Sequence, residues 1–411
     1  MAILALLWAS ALAAAPVTAY VRGADGKWLK TQANDADGRI TLSLKPEQIG
    51  GGETVVIVNK PAWMVLEDSE APKLAWLKLN GADVKPEGGD LGVISTFPAT
   101  IALGIKDNAN PLNAQAVRVS LPREAGPAQP QVAELGPPKP NGRMSFTLPA
   151  LPPGEYTMAV SVPDLSPQAN TLTMALRFRV IGFAPSEDLQ TIRIGTSGGG
   201  FTFRAKKTGE LQVGDMTAAY LSTGVSGGYL YIDRIERVET LQDTPAVKSI
   251  RVHVRPGETD KKEDGAKLAR LEYDLTVRDD LPCLLVTSRT INLGAKQEVY
   301  TWWGWLPGTK WADPAGEHEW AGKYQDVGKV GWVFLPQAAA AAAGEEGAGI
   351  GWITPQVFGE SRFNTMLLYT EPTRIMTETN GGVEIRFGIM PAATADAVAA
   401  TAARIKALGL W

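Results

Sequence analysis

The chain has 411 residues, more than one hydrophobic core usually serves, so its length predicts more than one domain. Its composition is that of a globular protein, with 45% hydrophobic and 20% charged residues. A formal net charge of −4 lacks the basic excess that nucleic-acid binding requires, which argues against a nucleic-acid partner.

The first 19 residues are typical of a secretory signal peptide. An apolar run at 3–12 is too short to span a bilayer as a helix, and small residues follow it. The tripeptides 11–13 and 17–19 both fit an A-x-A cleavage pattern, although no Lys or Arg precedes the apolar run. No other stretch is long and apolar enough to span a membrane, so we expect an exported protein, secreted or held in the periplasm or cell envelope. The alternative is an N-terminal buried strand.

Residues 20–182 show the short alternating patterns of β-strands. The segment 20–66 either extends the following sandwich or forms a small β subdomain before it. At 142–180 three strand patterns surround the corner "LPPGEY". This stretch resembles the closing strands of immunoglobulin-like or fibronectin-like modules, and the resemblance covers roughly 67–182. It implies a β-sandwich and no particular function.

Strand patterns restart after a boundary near 181–190 and continue to residue 391. Their number and length predict a large antiparallel two-sheet sandwich over 187–411. The glycine run at 197–200 favours a hairpin over a phosphate-binding loop, because a strand pattern and not a helix follows it. The sequence therefore predicts an all-β protein with two sandwiches.

One helix is predicted, at the C-terminal end over 394–411. Thr394 can cap it, and an apolar stripe of Val398, Ala402, Ile405 and Leu408 would pack it on the sandwich. The single cysteine, Cys283, excludes an intrachain disulfide and a cysteine-ligated metal, and its apolar neighbours predict burial.

Tryptophans are concentrated between residues 302 and 352. Indole faces mixed with carboxylates suit carbohydrate, because a sugar ring lies flat on an indole while its hydroxyls need polar partners. The region 307–329 is a loop broken by Gly and Pro, which favours binding over packing. The alternative is that these rings fill a wide core. The candidate sugar-binding residues are Trp302, Trp303, Trp305, Lys310, Trp311, Trp320 and Tyr324.

The candidate catalytic residues lie in and near the motif "GEHEW" at 316–320. His318 stands between Glu317 and Glu319, whose carboxylates would favour its protonated form and suit it to general acid or base chemistry. Asp313 with either glutamate could form a glycosidase-like carboxylate pair. The pattern is not the helical H-E-x-x-H motif of zinc enzymes, and no metal or other cofactor is predicted. An ordinary surface histidine is the alternative.

The phrases "LEYDLTV", "DLP" and "RTINLG" within 271–294 resemble the β-supersandwich of galactose mutarotase-like domains. The resemblance covers about 190–391, at the level of pattern. Those domains occur in carbohydrate-active enzymes, so it implies that sugar binds on a concave sheet face, which Arg289 and Tyr273 could line. Mutarotases use histidines and a glutamate there, whereas this chain offers only His253 and His318.

Three functions follow from these patterns. The leading hypothesis is an exported protein that binds a polysaccharide or oligosaccharide through the Trp-rich cleft. The second is a polysaccharide lyase or glycosidase that uses His318 and the nearby carboxylates, with Arg289 or Lys310 to neutralise a substrate carboxylate. The third is a structural envelope or surface protein. The oligomeric state is not predicted.

Overall fold

The computed structural model shows an all-β protein. It describes residues 17–22, 27–36, 39–42, 55–85, 89–120, 131–133, 141–206, 208–213, 216–226, 228–305, 310–319, 325–326, 331–336, 349–354, 362–363, 368–369 and 373–411. By contacts the chain divides into two compact units. The first comprises 1–91, 98–149 and 157–176, and the second comprises 92–97, 150–156 and 177–411.

The N-terminal strands form a separate four-stranded sheet in the order β3-β2-β1-β4. Its strands are β1 (Val17–Arg22), β2 (Trp28–Ala36), β3 (Arg39–Leu42) and β4 (Val56–Val58). The central strand β1 pairs with β2 along its whole length and buries Ala19 and Val21. Residues 17–19, one of the two candidate cleavage sites, are therefore part of a paired strand.

Two antiparallel sheets follow, in the orders β10-β11-β8-β5-β6 and β7-β13-β12-β9. Their strands are β5 (Lys73–Leu79), β6 (Ala82–Val84), β7 (Asp90–Ile94), β8 (Ala99–Lys106), β9 (Arg118–Ser120), β10 (Gln131–Ala133), β11 (Asn141–Leu148), β12 (Gly154–Pro163) and β13 (Thr171–Val180). Alternate residues are buried, as in Met158, Val160 and Val162 of β12, because successive side chains of a strand point to opposite faces. At the predicted corner, the Tyr156 hydroxyl donates to the Pro152 carbonyl at 2.6 Å.

The second unit contains one network of 19 strands. These are β14 (Gly182–Pro185), β15 (Thr191–Gly195), β16 (Gly200–Lys206), β17 (Thr208–Val213), β18 (Met216–Val225), β19 (Gly228–Asp243), β20 (Val247–Thr259), β21 (Ala269–Arg278), β22 (Leu281–Asn292), β23 (Gln297–Trp305), β24 (Lys310–Asp313), β25 (Gly316–Glu319), β26 (Gln325–Asp326), β27 (Trp332–Pro336), β28 (Gly349–Ile353), β29 (Arg362–Phe363), β30 (Leu368–Tyr369), β31 (Thr373–Thr377) and β32 (Gly382–Ala392). The glycine run forms the β15–β16 hairpin, as predicted.

The pairings divide most of this network into two layers. Layer I contains β14 to β18, β23 and β31, and layer II contains β19 to β22, β32, β28, β27, β24 and β25. One hydrophobic core draws on both layers, with Phe203 and Leu221 from layer I and Val252, Tyr273 and Phe387 from layer II. The alternation of each strand thus assigns one face of layer II to this core and the other face to different contacts.

The helices are α1 (Gly265–Leu268) and α2 (Ala395–Ala407). The predicted cap of α2 is confirmed, since the Thr394 side chain accepts from the Ala397 N–H. Val398 and Ile405 are buried in a second apolar cluster with Leu285 of β22 and Met390 of β32. Among the described residues, no helix is both long and apolar enough to traverse a bilayer.

Cys283 is fully buried, and burial raises the pKa of its thiol to about 12. Because the thiolate is the reactive form, we expect no reaction with Ellman's reagent at pH 8 in the native protein and one reactive thiol per chain in denaturant. Rapid native-state labelling would contradict this placement.

Candidate functional site

Nine ionisable side chains on five neighbouring strands cluster on the face of layer II that points away from the core. On β20 and β21, Val252 and Tyr273 enter the core, so alternation directs Arg251, His253, Glu272 and Asp274 to the opposite face. We call this set the charged face. Its members are Glu239 of β19, Arg251 and His253 of β20, Arg270, Glu272 and Asp274 of β21, Arg289 of β22, and Glu384 and Arg386 of β32.

Strand register places opposite charges directly across from one another. In one row, His253 stands opposite Glu272, Glu272 opposite Arg289, and Arg289 opposite Glu384. In the next row, Glu239 stands opposite Arg251 and Arg251 opposite Asp274. Directly opposed charges of unlike sign stabilise a strand pair, so the same residues hold the register and form the surface.

Short contacts connect these side chains into one network. The Arg251 guanidinium donates to both Asp274 carboxylate oxygens, at 2.7 and 3.0 Å. Arg289 donates to Asp274 and, at 2.6 Å, to Glu384. Arg386 donates to the other Glu384 oxygen at 2.7 Å. Asp274 is thus shared between Arg251 and Arg289, and Glu384 between Arg289 and Arg386.

His253 lies at the other end of the network and is nearly buried. Its Nε2 is 3.3 Å from Glu239, and its Nδ1 is 3.6 Å from Glu272. Arg270 adds a contact to Glu272 at 3.0 Å. The imidazole therefore lies between two carboxylates, in the setting that the sequence had suggested for His318.

Electrostatics favour the ionised forms at the centre of the network. Burial alone would raise the pKa of Asp274, but hydrogen bonds from Arg251 and Arg289 outweigh it and hold that pKa below its ordinary value. The Asp274 hydrogen bond is likewise the main reason that the pKa of Arg251 rises. Fixed, ionised groups of this kind can offer several hydrogen-bond donors and acceptors to a polar ligand without rearrangement.

Two exposed tyrosines extend this surface along β19. Leu230 and Ile232 enter the core, so alternation places Tyr229 and Tyr231 on the same side of layer II as the charged face. They are 47% and 39% exposed, which is unusual for large aromatic side chains. The Ile232–Pro256 and Leu230–Thr259 pairings set Tyr231 roughly 15 Å and Tyr229 roughly 23 Å from His253 along the strands.

The predicted catalytic motif forms the β24–β25 hairpin, with Trp311 opposite His318. The two rings stack with centroids 4.0 Å apart, and Trp311 is only 3% exposed. The His318 Nε2 atom lies 3.0 Å from Asp313 Oδ1, which also accepts from the Ala315 N–H. The buried Asp313 carboxylate therefore orients the partly exposed His318 imidazole, which stacks on the Trp311 indole.

The flanking glutamates occupy different surroundings from those expected. Glu317 and Glu319 are exposed, and Glu319 pairs with exposed Lys310 at 3.3 Å. The carboxylate partner of His318 is Asp313, because Asp313 and His318 belong to facing strands of one tight hairpin. Among the described contacts, neither Glu317 nor Glu319 pairs with the imidazole.

The tryptophan cluster is described only in part. Trp302, Trp303 and Trp305 lie in β23, but their side chains are outside the described residues, as are Trp320 and Tyr324 entirely. Trp311 belongs to the main core, which corrects the expectation that its indole binds sugar. Tyr273, expected on the binding face beside Arg289, is also in the core, because it follows Glu272 by one residue.

Sequence reasoning missed most of the charged face and both tyrosines. The signal was present as charged residues at every second position, as in "RVHV", "LEYD" and "EIRF". Each pattern alone reads as an ordinary solvated strand face. Only the register of distant strands, such as β22 against β32, shows that the charges are complementary.

The chain matches no protein-family model and no curated protein sequence. Among solved structures it is similar to the galactosidase domain of an alpha-galactosidase-sucrose kinase, at 7% identity and a TM-score of 0.36, over 52% of this chain and 42% of that one. It is also similar to a glycosyl hydrolase family 38 protein from Enterococcus faecalis, at 7% identity and a TM-score of 0.33, over 74% and 44%. It is similar as well to an alpha-mannosidase from Enterococcus faecalis V583, at 8% identity and a TM-score of 0.32, over 74% of this chain and 43% of that one. The chain spans less than half of each of these proteins, and similarities at this level carry no argument about function.

The network predicts a stability that depends on pH. Asp274→Asn should lower the free energy of unfolding by about 2 kcal/mol at pH 7, because it leaves two guanidinium groups without their shared carboxylate. The pKa of Asp274 is depressed in the folded state, so its contribution is present above its unfolded pKa and is lost as the pH falls through the folded value.

Urea unfolding at pH 7 and near pH 2.5 measures this difference, and the gap between wild type and variant should shrink at the lower pH. Asp243→Asn is the control, since exposed Asp243 pairs with Lys248 alone among the described ion pairs, and the substitution should cost no more than about 0.5 kcal/mol. An equal loss at both pH values would contradict the role of the Asp274 charge.

Proposed function

We propose that the protein is an exported carbohydrate-binding protein whose saccharide site is the charged face of layer II together with Tyr229 and Tyr231. The observation that supports this is the combination of partly exposed, mutually fixed charged groups with exposed aromatic rings on one sheet face. Saccharides need both, because hydroxyl groups take hydrogen bonds while the C–H faces of the ring pack on aromatic side chains.

The arginine and carboxylate groups suit hydroxyl recognition because they are planar and held in place. Glu384 is fixed between Arg289 and Arg386, and Arg386 is the more exposed of the two guanidiniums. A group that is already oriented loses little side-chain entropy when it binds. The four arginines and four carboxylates of the charged face give it both donors and acceptors for hydroxyl groups, and Arg237, opposite His253, adds a further donor on the same side of the sheet.

The charged face is a different location from the Trp-rich cleft that the sequence favours. Among the side chains that the structure describes there, Trp311 and Trp352 are buried in the core. Tyr229 and Tyr231 take over the role of the accessible aromatic rings. We keep carbohydrate as the proposed ligand. We place its binding site on the outer face of β19–β22 and β32, in place of β23–β25.

Export is proposed from the N-terminal sequence. Cleavage after residue 19 would remove half of β1, which pairs with both β2 and β4. Cleavage after residue 13 would leave β1 complete, so we favour the earlier site. N-terminal sequencing of the exported protein distinguishes the two.

A glycan array followed by titration calorimetry tests the binding site. Tyr231→Ala should weaken binding of the retained glycan about fivefold, and Arg386→Gln at least about tenfold. The matched controls are Leu241→Ala, an exposed apolar residue on the same strand, and Arg404→Gln, an exposed arginine on α2. Both controls should bind within twofold of wild type.

Trp305→Ala tests the rival location. If Trp305→Ala abolishes binding while Tyr231→Ala and Arg386→Gln leave it unchanged, the site lies in the Trp-rich region instead. If no glycan is retained at all, the carbohydrate assignment itself is contradicted.

A second candidate function is polysaccharide cleavage by His318 as a general base. The observation that favours it is the Asp313–His318 pair, in which a buried carboxylate orients the imidazole at 3.0 Å and leaves it 30% exposed. Such a pair is the arrangement that proton abstraction requires.

Digestion of acidic and neutral polysaccharides, followed by absorbance of unsaturated products and by reducing ends, tests this second function. His318→Ala and Asp313→Asn should each reduce the rate at least about 100-fold. Glu319→Gln should retain the rate within twofold, since Glu319 pairs only with Lys310 among the described contacts. Full activity in His318→Ala would remove the assignment.

A further inference from the structure

Three buried aspartates of the first unit meet outside the surfaces described above. Asp107 directly follows β8, Asp164 directly follows β12, and Asp68 lies in the connection between β4 and β5. One carboxylate oxygen from each lies within 4.8 Å of the others. All three residues are at most 4% exposed, so little water reaches the three carboxylates to screen their mutual repulsion.

Neutral donors hold these carboxylates in position. The Asn110 amide donates to Asp68 at 2.7 Å, and the Asn170 amide donates to Asp164 at 3.1 Å. Ser166 donates to Asp164 through both its backbone N–H and its hydroxyl. Among the described ion pairs, no Lys or Arg neutralises any of the three carboxylates.

One carboxylate oxygen of the cluster has no hydrogen-bond partner among the described residues. Asp107 Oδ1 accepts from the backbone N–H groups of Ala109 and Asn110, at 2.9 and 2.7 Å. Asp107 Oδ2 is buried and, within the part of the chain that the structure describes, receives no hydrogen bond. A buried carboxylate oxygen without a partner is costly, and three buried carboxylates without a cation are more so.

We propose that Asp68, Asp107 and Asp164 bind a calcium ion. Calcium takes oxygen ligands at about 2.3–2.6 Å, so oxygens on opposite sides of one ion are separated by about 5 Å, in agreement with the spacing of the three carboxylates. The ion supplies the positive charge that the surrounding amides and hydroxyl do not. It also gives the free Asp107 oxygen a partner.

Calcium is favoured over magnesium by the construction of the site. The ligands come from three separate connections, and their remaining oxygens are already engaged by Asn110, Ser166 and Asn170. Magnesium demands near-ideal octahedral geometry and keeps several of its waters, whereas calcium accepts irregular oxygen sets.

Calorimetric titration and thermal unfolding of the full chain test the site. After treatment with a chelator, CaCl2 should raise the melting temperature of the protein by roughly 5–10 °C at saturation, and excess EDTA should reverse the shift. The same concentration of MgCl2 should give less than half of that shift. Absence of a shift and of binding heat with CaCl2 would overturn the proposal, and an equal shift with MgCl2 would overturn its assignment to calcium.

Asp107→Asn separates a cation site from an ordinary polar cluster. The amide keeps the size of the side chain and removes one of the repelling charges, so the metal-free variant should melt above the metal-free wild type and lose the calcium response. Asp83→Asn is the control, because Asp83 is an exposed acid of the same unit and should leave the response intact. A full calcium response in Asp107→Asn would overturn the proposal. If that variant does not fold, the titration of the wild type still decides.

Discussion

The pairing of opposite charges across adjacent strands is the interaction on which the account of the second unit depends. Because side chains alternate between the two faces of a strand, a one-residue slip of β21 would bring Glu272 and Asp274 into the core and turn Tyr273 outward. Core packing and charge pairing therefore specify the same register. The surface that we propose for ligand binding is fixed by the same constraint that builds the sandwich.

This arrangement links stability to binding. Arg289 and Glu384 hold β22 against β32, and Arg386 stands at the more exposed end of the same network. Interactions at the centre thus serve mainly to position the groups at its margin. A surface of this kind can present donors and acceptors in fixed directions, which is the property that specific recognition of hydroxyl groups needs.

The all-β class, the β15–β16 hairpin, the capped helix α2 and the burial of Cys283 could all be predicted from the sequence, because each depends on local pattern. The positions of the candidate sites could not be predicted in this way. Trp311 and Tyr273 were expected at a binding surface, but strand parity directs both into the core. The immunoglobulin-like and mutarotase-like resemblances, the domain boundaries and export stay predictions.

Sites that depend on distant residues were missed for one physical reason. Asp68, Asp107 and Asp164 are separated by dozens of residues in sequence and meet only because the ends of β8 and β12, from two different sheets, come close to the connection before β5. His318 was expected to have a glutamate as its carboxylate neighbour, but the neighbour is Asp313 across a hairpin. Residues next to each other in a strand point to opposite faces of the sheet, whereas residues paired across neighbouring strands point to the same face and come into contact.

A crystal structure of the protein with its best-retained oligosaccharide is the most direct test of the central claim. The account predicts an oligosaccharide lying across the outer face of layer II, with one sugar ring over Tyr229 or Tyr231 and a different sugar of the same molecule hydrogen-bonded to Arg386 or Glu384. A saccharide seated against β23 and the β24–β25 hairpin, with the charged face bare, would contradict it.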